Sequence, residues 1–306
     1  MDLVYDDEPL EELLYGHVTH GPSAANLYSP FKRLEQALSG TDGTAIEQAF
    51  REASCCCESN PTLIPEIVTL LSKLARRCLP QWPKPLNAAL STAGLQLLEF
   101  LWKRSRDAEH RSSILSVGSV LWEWYEYARR PALASEVLEE MIGLCQDQDA
   151  NETLQGLCNN LAYQRFLLQD WSRSQQAYQS ACEIAERAGR RADLLNSRVG
   201  WWAARYEEQP NEVAAELVAK LRPVLSEIRD LNRLLTARKA LRYLALAEAR
   251  LGQGQSALAF VDQAIEIDRQ FQSMFLEEDL ALRAAIRGIH TETLLDPVPP
   301  DIASID

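Results

Sequence analysis

The side chains best suited to chemistry in this sequence are its seven cysteines and four histidines. Cys55, Cys56 and Cys57 are consecutive. Zinc ligands must converge on one ion, whereas consecutive helical positions point about 100° apart. His17 and His20 could share one helical face, but no third ligand is nearby. We therefore predict no metal site and interpret the cysteines as packing residues.

Sequence motifs for catalysis are absent. There is no phosphate-binding G-x-x-x-x-G-K-[ST] loop, no G-x-S-x-G nucleophile turn and no H-E-x-x-H. The glutamates are spread along the chain as helix-surface charges. We expect a protein that is not an enzyme and has no cofactor. A buried cluster of glutamate or histidine with a perturbed pKa would instead favour an enzyme on a helical scaffold.

Negative charge is concentrated at the two ends of the chain. The formal net charge is −13, of which residues 1–12 carry −6 and residues 291–306 carry −4, leaving −3 for the body. Nucleic-acid binding requires a basic surface, and the chain as a whole does not have one. Acidic ends either keep a protein solvated or act as interaction tails.

The sequence also predicts the compartment. No run of about 18 apolar residues is present to span a membrane, and the N-terminus lacks the basic and apolar regions of a secretory signal. An odd number of cysteines on predicted helices is a poor disulfide framework. We expect a cytoplasmic protein.

Helical periodicity runs through most of the chain, with no strand pattern. We predict an acidic leader over 1–28, one continuous helical domain over 29–290 and an acidic, proline-containing tail over 291–306. Pro223 should kink or split its helix. The predicted helices lie near 29–38, 44–58, 62–79, 86–105, 110–128, 131–147, 151–168, 171–188, 191–207, 211–229, 231–251, 254–270 and 275–289.

Four segments share one pattern at nearly constant spacing. A second helix opens on a small residue and carries a large apolar residue four positions later. The spacing between successive units is 40, 40 and 43 residues, which indicates stacked pairs of helices. The small and large residues are Ala134 and Leu138, Ser174 and Tyr178, Ala214 and Val218, and Ala257 and Val261.

Two of these units resemble the tetratricopeptide (TPR) repeat. One runs from Asn160-Leu161-Ala162-Tyr163 to Ala181-Cys182-Glu183-Ile184-Ala185, and the other from Leu244-Ala245-Leu246-Ala247 to Ala264-Ile265-Glu266-Ile267-Asp268. The units at 110–147 and 191–229 are degenerate, and the spacing exceeds the usual 34 residues of the family. The resemblance covers roughly residues 110–270. It implies an all-α fold, a right-handed α-solenoid of stacked helical hairpins.

The resemblance further implies a concave groove that binds peptides or protein segments and is lined by the first helix of each pair. In some members of the family, asparagine, lysine and arginine at groove positions hold the carboxylate of a ligand. Such hydrogen bonds are strengthened by charge. The corresponding positions here are Asn159, Tyr163, Phe166, Asn196, Tyr206, Lys239, Arg242 and Arg250.

The local charge favours an acidic ligand in that groove. Residues 231–251 have a net charge of +4 and residues 184–206 of +3. They could form a basic strip for an acidic peptide or a free carboxylate, and the chain's own acidic tail could occupy it in cis. The alternative is that acids on neighbouring helices balance these solvated faces.

Aromatic residues crowd two of the predicted helices. Trp122, Trp124, Tyr125 and Tyr127 lie on one, and Trp201-Trp202 on another. Packing between repeats explains them most simply. The alternative is an aromatic anchor for a partner, or an exposed apolar patch through which the chain forms a homodimer.

Together these features predict a scaffold or adaptor that binds a protein segment in its groove. A sensor that binds a small molecule or signalling peptide inside the superhelix is the alternative. No nucleic acid and no membrane is expected among the partners.

Overall fold

The computed structural model describes residues 33, 43–59, 64, 67–68, 84–107, 111–145, 151–271 and 275–288. Within these residues there are only helices and turns, as the sequence predicts. No described helix is long and apolar enough to cross a membrane. The helices are α1 (Gly43–Ser59), α2 (Lys84–Asp107), α3 (Arg111–Tyr127), α4 (Pro131–Cys145), α5 (Asn151–Leu167), α6 (Trp171–Arg187), α7 (Arg191–Glu208), α8 (Pro210–Leu221), α9 (Leu225–Asp230), α10 (Leu234–Arg250), α11 (Gly254–Gln270) and α12 (Leu276–Arg287).

The chain divides into two compact units between Ala128 and Arg129. In the first unit, α1 packs against α2, and α2 against α3. The indole of Trp124 is fully buried and lies on Gly94, where an added Cβ would come within 1.9 Å of the ring. Glycine at this position therefore lets α2 and α3 approach closely around the tryptophan.

The second unit is a TPR-like solenoid of antiparallel helices. Consecutive helices from α4 through α8 pack against one another, α8 and α9 both pack against α10, α10 packs against α11, and α11 against α12. The first helices of successive pairs also contact each other in sequence, α5 with α7 and α7 with α10. This second set of contacts places one continuous row of helices along the unit.

Proline and turn residues set the helix ends. Pro223 splits its helix as predicted, because α8 ends at Leu221 and α9 begins at Leu225. Gln169 adopts a positive φ of 58° between α5 and α6, and the Asp170 carboxylate then accepts a hydrogen bond from the Arg173 amide at 3.3 Å. Such a cap satisfies a backbone donor that has no partner within the helix.

The repeat positions pack as the sequence pattern predicts. The four small residues, Ala134, Ser174, Ala214 and Ala257, are buried, as are Leu138, Tyr178 and Val261, while Val218 is half-buried. The Ser174 hydroxyl donates to the Ala162 carbonyl at 2.8 Å. A small side chain on α6 thus brings its backbone close to α5 and satisfies its own buried hydroxyl.

Several sequence predictions lie outside the described residues. These are the leader at 1–28, the tail at 291–306, His17, His20 and Cys78, and most of the predicted helices 29–38 and 62–79. The prediction of one continuous domain over 29–290 stays a prediction.

Replacing Gly200 with alanine should destabilise the second unit. The added Cβ would lie 2.3 Å from the buried Tyr178 ring, and overpacking of this kind costs about 1–3 kcal/mol. Gly143 is the matched control, since it lies in helix α4 and an added Cβ would meet nothing within 4 Å. Gly143→Ala should raise the free energy of unfolding in urea by about 0.5–1 kcal/mol. Equal effects of the two substitutions would contradict the proposed packing of Tyr178 on Gly200.

Candidate functional site

Polar side chains on the three first helices form one row of hydrogen bonds. Asn159 on α5 accepts with its side-chain oxygen from Asn196 at 3.4 Å and from Ser197 at 3.1 Å, both on α7. Asn196 in turn accepts from Thr236 on α10 at 2.9 Å. Gln155, one turn before Asn159, donates to Ser197 at 3.1 Å. The row fixes the orientation of both predicted asparagines.

The Lys239 ammonium lies among three aromatic rings one turn further along. Its Nζ is 5.8 Å from the ring centroid of Tyr163, 5.5 Å from that of Phe166 and 5.4 Å from that of Tyr178. It donates to the Tyr178 hydroxyl at 3.4 Å. The side chain is half-buried. Tyr163 follows Asn159 by four residues, and Lys239 follows Thr236 by three, so the rings and the polar row occupy neighbouring turns.

No carboxylate among the described residues lies within ion-pair distance of Lys239. Burial, and to a smaller extent the positive charge of Arg238, lower the pKa of its ammonium from 10.5 to about 8. A cation beside aromatic faces gains an attraction to the rings, but this gain does not replace the lost hydration. The site is therefore electropositive and has hydrogen-bond donors to spare.

Arg242, a predicted groove residue, lies instead in a buried charge cluster. It donates to Asp279 on α12 and also pairs with Glu278 at 3.4 Å. Arg238, its neighbour one turn earlier, pairs with Asp268 of α11 at 3.1 Å and with Asp279 at 2.9 Å. Burial raises the pKa of Asp279, and the two arginines oppose that rise. The cluster joins α10, α11 and α12.

Tyr206 and Arg250 form a third group near the other end of α10. The Arg250 guanidinium lies 5.9 Å from the Tyr206 ring and donates to Asn211 at 2.7 Å. Tyr206 packs edge-on against Tyr243, whose hydroxyl donates to Glu207 at 2.9 Å. Burial raises the pKa of the Glu207 carboxyl, although the tyrosine hydrogen bond lowers it in part.

The structure thus brings five of the eight predicted residues together and separates three. Asn159, Tyr163, Phe166, Asn196 and Lys239 share neighbouring turns of α5, α7 and α10. The sequence did not assign Gln155, Ser197, Thr236 and Tyr178 to the site. Tyr178 carried a signal, because it is the large residue of the repeat pattern, but that pattern indicates packing only.

The arginines of the predicted basic strip are mostly paired with acids of neighbouring helices. This is the alternative that the sequence left open, and it accounts for most of the local positive charge. The pairs are Arg190 with Glu152 at 3.7 Å, Arg191 with Glu227 at 2.8 Å, Arg198 with Glu186 at 3.6 Å, Arg205 with Glu216 at 3.2 Å, and Arg233 with Asp193 at 3.4 Å.

The crowded aromatics serve mainly in packing. Trp124 and Tyr125 are buried, and the Tyr125 hydroxyl donates to Glu99 at 2.8 Å. Trp202 is buried in the core of the second unit, and Trp201 lies edge-on against it at 4.8 Å. Tyr127 is the exception, because half of its surface is exposed.

Cys55, Cys56, Cys158 and Cys182 are free. Cys55 is exposed, Cys56 half-buried and Cys57 buried, so their side chains diverge. Among the described residues, no group of three or more potential ligands could hold a metal ion.

Comparison with solved structures assigns a TPR-like fold. Similar structures include BtubC from P. vanneervenii (18% identity, TM-score 0.50, covering 94% of this chain and 98% of that one). Aspartyl phosphate phosphatase F from Bacillus subtilis is also similar (12% identity, TM-score 0.55, covering 93% of this chain and 74% of that one). A third is a signal-transduction ATPase with a tetratricopeptide repeat sensor from Pyrococcus horikoshii (13% identity, TM-score 0.51, covering 88% of this chain and 44% of that one). No family model and no curated protein sequence matches the chain.

Removing Asp279 should destabilise the second unit far more than removing its neighbour Glu278. Asp279→Ala leaves two buried or half-buried arginines without their shared carboxylate, a loss of about 3–5 kcal/mol in such pairs. Glu278 pairs with the same Arg242, but its side chain is 58% exposed, so Glu278→Ala should cost less than about 1 kcal/mol. Urea unfolding measures both. A similar cost for the two would contradict the buried cluster.

Lys239→Met should stabilise the protein at neutral pH. The pKa of Lys239 is lowered on folding, so charging this lysine opposes folding at every pH below about 8. That penalty is relieved as the pH rises from 8 towards the unfolded value near 10.5. We expect the variant to gain about 1–3 kcal/mol at pH 7, and the gain to shrink above pH 8. The exposed Lys220→Met is the control. A constant gain from pH 7 to 10 would contradict the lowered pKa.

Proposed function

We propose that this chain is a non-enzymatic adaptor that binds an acidic or carboxylate-bearing segment of a partner protein along α5, α7 and α10. The observation that carries the proposal is the Lys239 ammonium, which lies among three aromatic rings with no carboxylate partner in the described part of the chain. An anion from a partner would supply the missing counter-charge.

Hydrogen-bond capacity supports the same assignment. An ammonium has three N–H donors, and Lys239 uses one of them, on Tyr178. The Asn159 side chain accepts two hydrogen bonds with its oxygen, and its NH₂ group donates to no described residue. A carboxylate at Lys239 and a peptide carbonyl at Asn159 would satisfy both sets of donors.

Aromatic rings beside the ammonium favour a peptide over a free ion. Tyr163 and Phe166 are half-buried, and Phe166 packs edge-on against Trp171 at 5.0 Å. An apolar side chain next to the bound carboxylate could cover these rings. Because the row of hydrogen bonds already orients the asparagines, binding would lose little side-chain entropy.

A sensor role is the second candidate. It is supported by the similarity to a signal-transduction ATPase with a tetratricopeptide repeat sensor. In that case a small molecule or signalling peptide would occupy the same residues and alter the packing of the first helices. We also propose a cytoplasmic location, which the free thiols of Cys55, Cys56, Cys158 and Cys182 support. The homodimer stays a prediction.

The test is a screen for peptide binding. We would screen a random peptide library displayed with free C-termini against wild type, then resynthesise the hits with and without each carboxylate. Wild type should select peptides with a terminal or side-chain carboxylate. Lys239→Gln should weaken these peptides about 10–100-fold, as expected for the loss of one charge-assisted hydrogen bond. Intrinsic tryptophan fluorescence, to which Trp171 beside Phe166 contributes, would report binding.

Lys239→Arg and Arg205→Gln are the matched variants. Lys239→Arg keeps the charge and should retain a large part of the affinity. Arg205 lies on α7 and already pairs with Glu216, so Arg205→Gln should leave affinity unchanged. Peptides that bind wild type and Lys239→Gln equally would overturn the proposed site. Arg242 is unsuitable as a probe, because its substitution would also disturb the buried cluster with Asp279.

A further inference from the structure

Lys239 differs from the other lysines whose side chains are described. Lys103 and Lys220 are exposed, where water stabilises the charged form. Lys239 is half-buried beside three rings, with a single long hydrogen bond of 3.4 Å and no described carboxylate. Each of these contacts holds an ammonium weakly. An unprotonated amine would be accommodated at the same place without loss of an ion pair.

The geometry therefore points to chemical reactivity. At pH 7.5, a pKa of about 8 leaves about a quarter of the amine unprotonated, against about 0.1% for a lysine at 10.5. The intrinsic nucleophilicity of an amine falls as its pKa falls; with the sensitivity known for thiols, this factor is about 10–20. The larger unprotonated fraction outweighs this loss of nucleophilicity, so the Lys239 amine should react about tenfold faster than an ordinary lysine.

We propose that Lys239 is a site of Nε-acylation by a small activated acyl donor, an acyl phosphate or an acyl thioester. The lone pair of the neutral Nζ attacks the carbonyl carbon of the donor, and a C–N bond forms. The C–O bond to phosphate, or the C–S bond, breaks with its electron pair on the leaving group. The second proton on nitrogen goes to solvent, and nothing is oxidised or reduced.

The surroundings suit the product. An acylated lysine is a neutral amide, so the missing counter-ion is no longer needed. A small acyl group can lie against the Tyr163 and Phe166 rings, and the amide N–H can still donate to the Tyr178 hydroxyl. The neighbouring Arg238 offers no comparable site, because a guanidinium stays protonated and this one is paired with Asp268 and Asp279.

Acylation would also regulate the proposed adaptor, and this consequence rests on the proposed function. The positive charge that would hold a partner's carboxylate is lost on modification. A single covalent step on one amine would thus release an acidic partner without change to the packing of the helices.

The experiment compares acylation rates within one folded chain. Full-length protein is incubated at pH 7.5 with acetyl phosphate, and in a second arm with acetyl coenzyme A. Site occupancy is followed by mass spectrometry of peptides. We expect Lys239 to be acetylated about tenfold faster than Lys103 and Lys220 in at least one arm, and the faster arm identifies the class of donor. Equal or slower modification of Lys239 in both arms would overturn the proposal.

Two further measurements separate chemistry from folding and from peptide binding. In 6 M urea, Lys239 should be acetylated no faster than Lys103 and Lys220. If Lys239 is still acetylated faster there, its reactivity comes from the local sequence, and the proposed structural origin is overturned. With rising pH, the rate at Lys239 should level off above pH 8, while the rate at Lys220 should continue to rise. If Lys239 is acylated selectively but the protein binds no acidic peptide, the adaptor proposal alone is overturned. Peptide binding without selective acylation would overturn acylation alone.

Discussion

The Tyr178 side chain is the contact on which both the packing and the candidate site depend. Its ring lies on Gly200, where even a methyl group would not fit, and so determines how closely α6 approaches α7. The same ring contributes to the surroundings of the Lys239 ammonium, and its hydroxyl accepts that ammonium's hydrogen bond. A residue that fills the core of one repeat therefore also contacts the candidate site's lysine on α10, the second first helix after it and 61 residues away.

Most positive charges of the second unit are neutralised by ion pairs between neighbouring helices. Most arginines of α7 and α10 have a carboxylate from another helix within reach, and Arg238 and Arg242 share a buried one. A guanidinium can bind two carboxylates at once through its planar set of donors, so arginine can join three helices. Lysine is a point charge on a flexible stem. The one lysine on α10 lies among aromatic rings instead, and this contrast separates the candidate binding residue from the structural arginines.

The helices could be predicted from sequence because their signals are local. Apolar periodicity placed α4 to α7 within a few residues, and Pro223 placed the break between α8 and α9. The small residues of the repeat, such as Ser174, marked where helices touch. The resemblance to TPR repeats then selected the first helices, and with them Asn159, Asn196 and Lys239.

Partners distant in sequence could not be predicted in this way. Arg242 has the residue type and helix position of a groove donor, yet its carboxylate comes from α12, 37 residues later. The rings beside Lys239 come from α5 and α6. A charge count over one helix cannot include acids on another helix. It therefore indicated a basic strip where most charges are neutralised, and gave equal weight to Lys239, which has no carboxylate partner in the described part of the chain.

The position of Lys239 conflicts locally with the rest of α10. Its neighbours Ala237, Ala240, Leu241 and Leu244 are all buried apolar residues that pack against adjacent helices. A lysine among them raises the free energy of the folded chain, because its charge is partly dehydrated and has no carboxylate partner among the described residues. Local conflicts of this kind are expected at functional positions, where stability is given up for binding. A bound anion would remove the conflict, since it replaces the lost hydration with a direct counter-charge. For the proposed adaptor, the free energy spent on dehydrating Lys239 would be recovered when a partner binds, and only by ligands that carry negative charge.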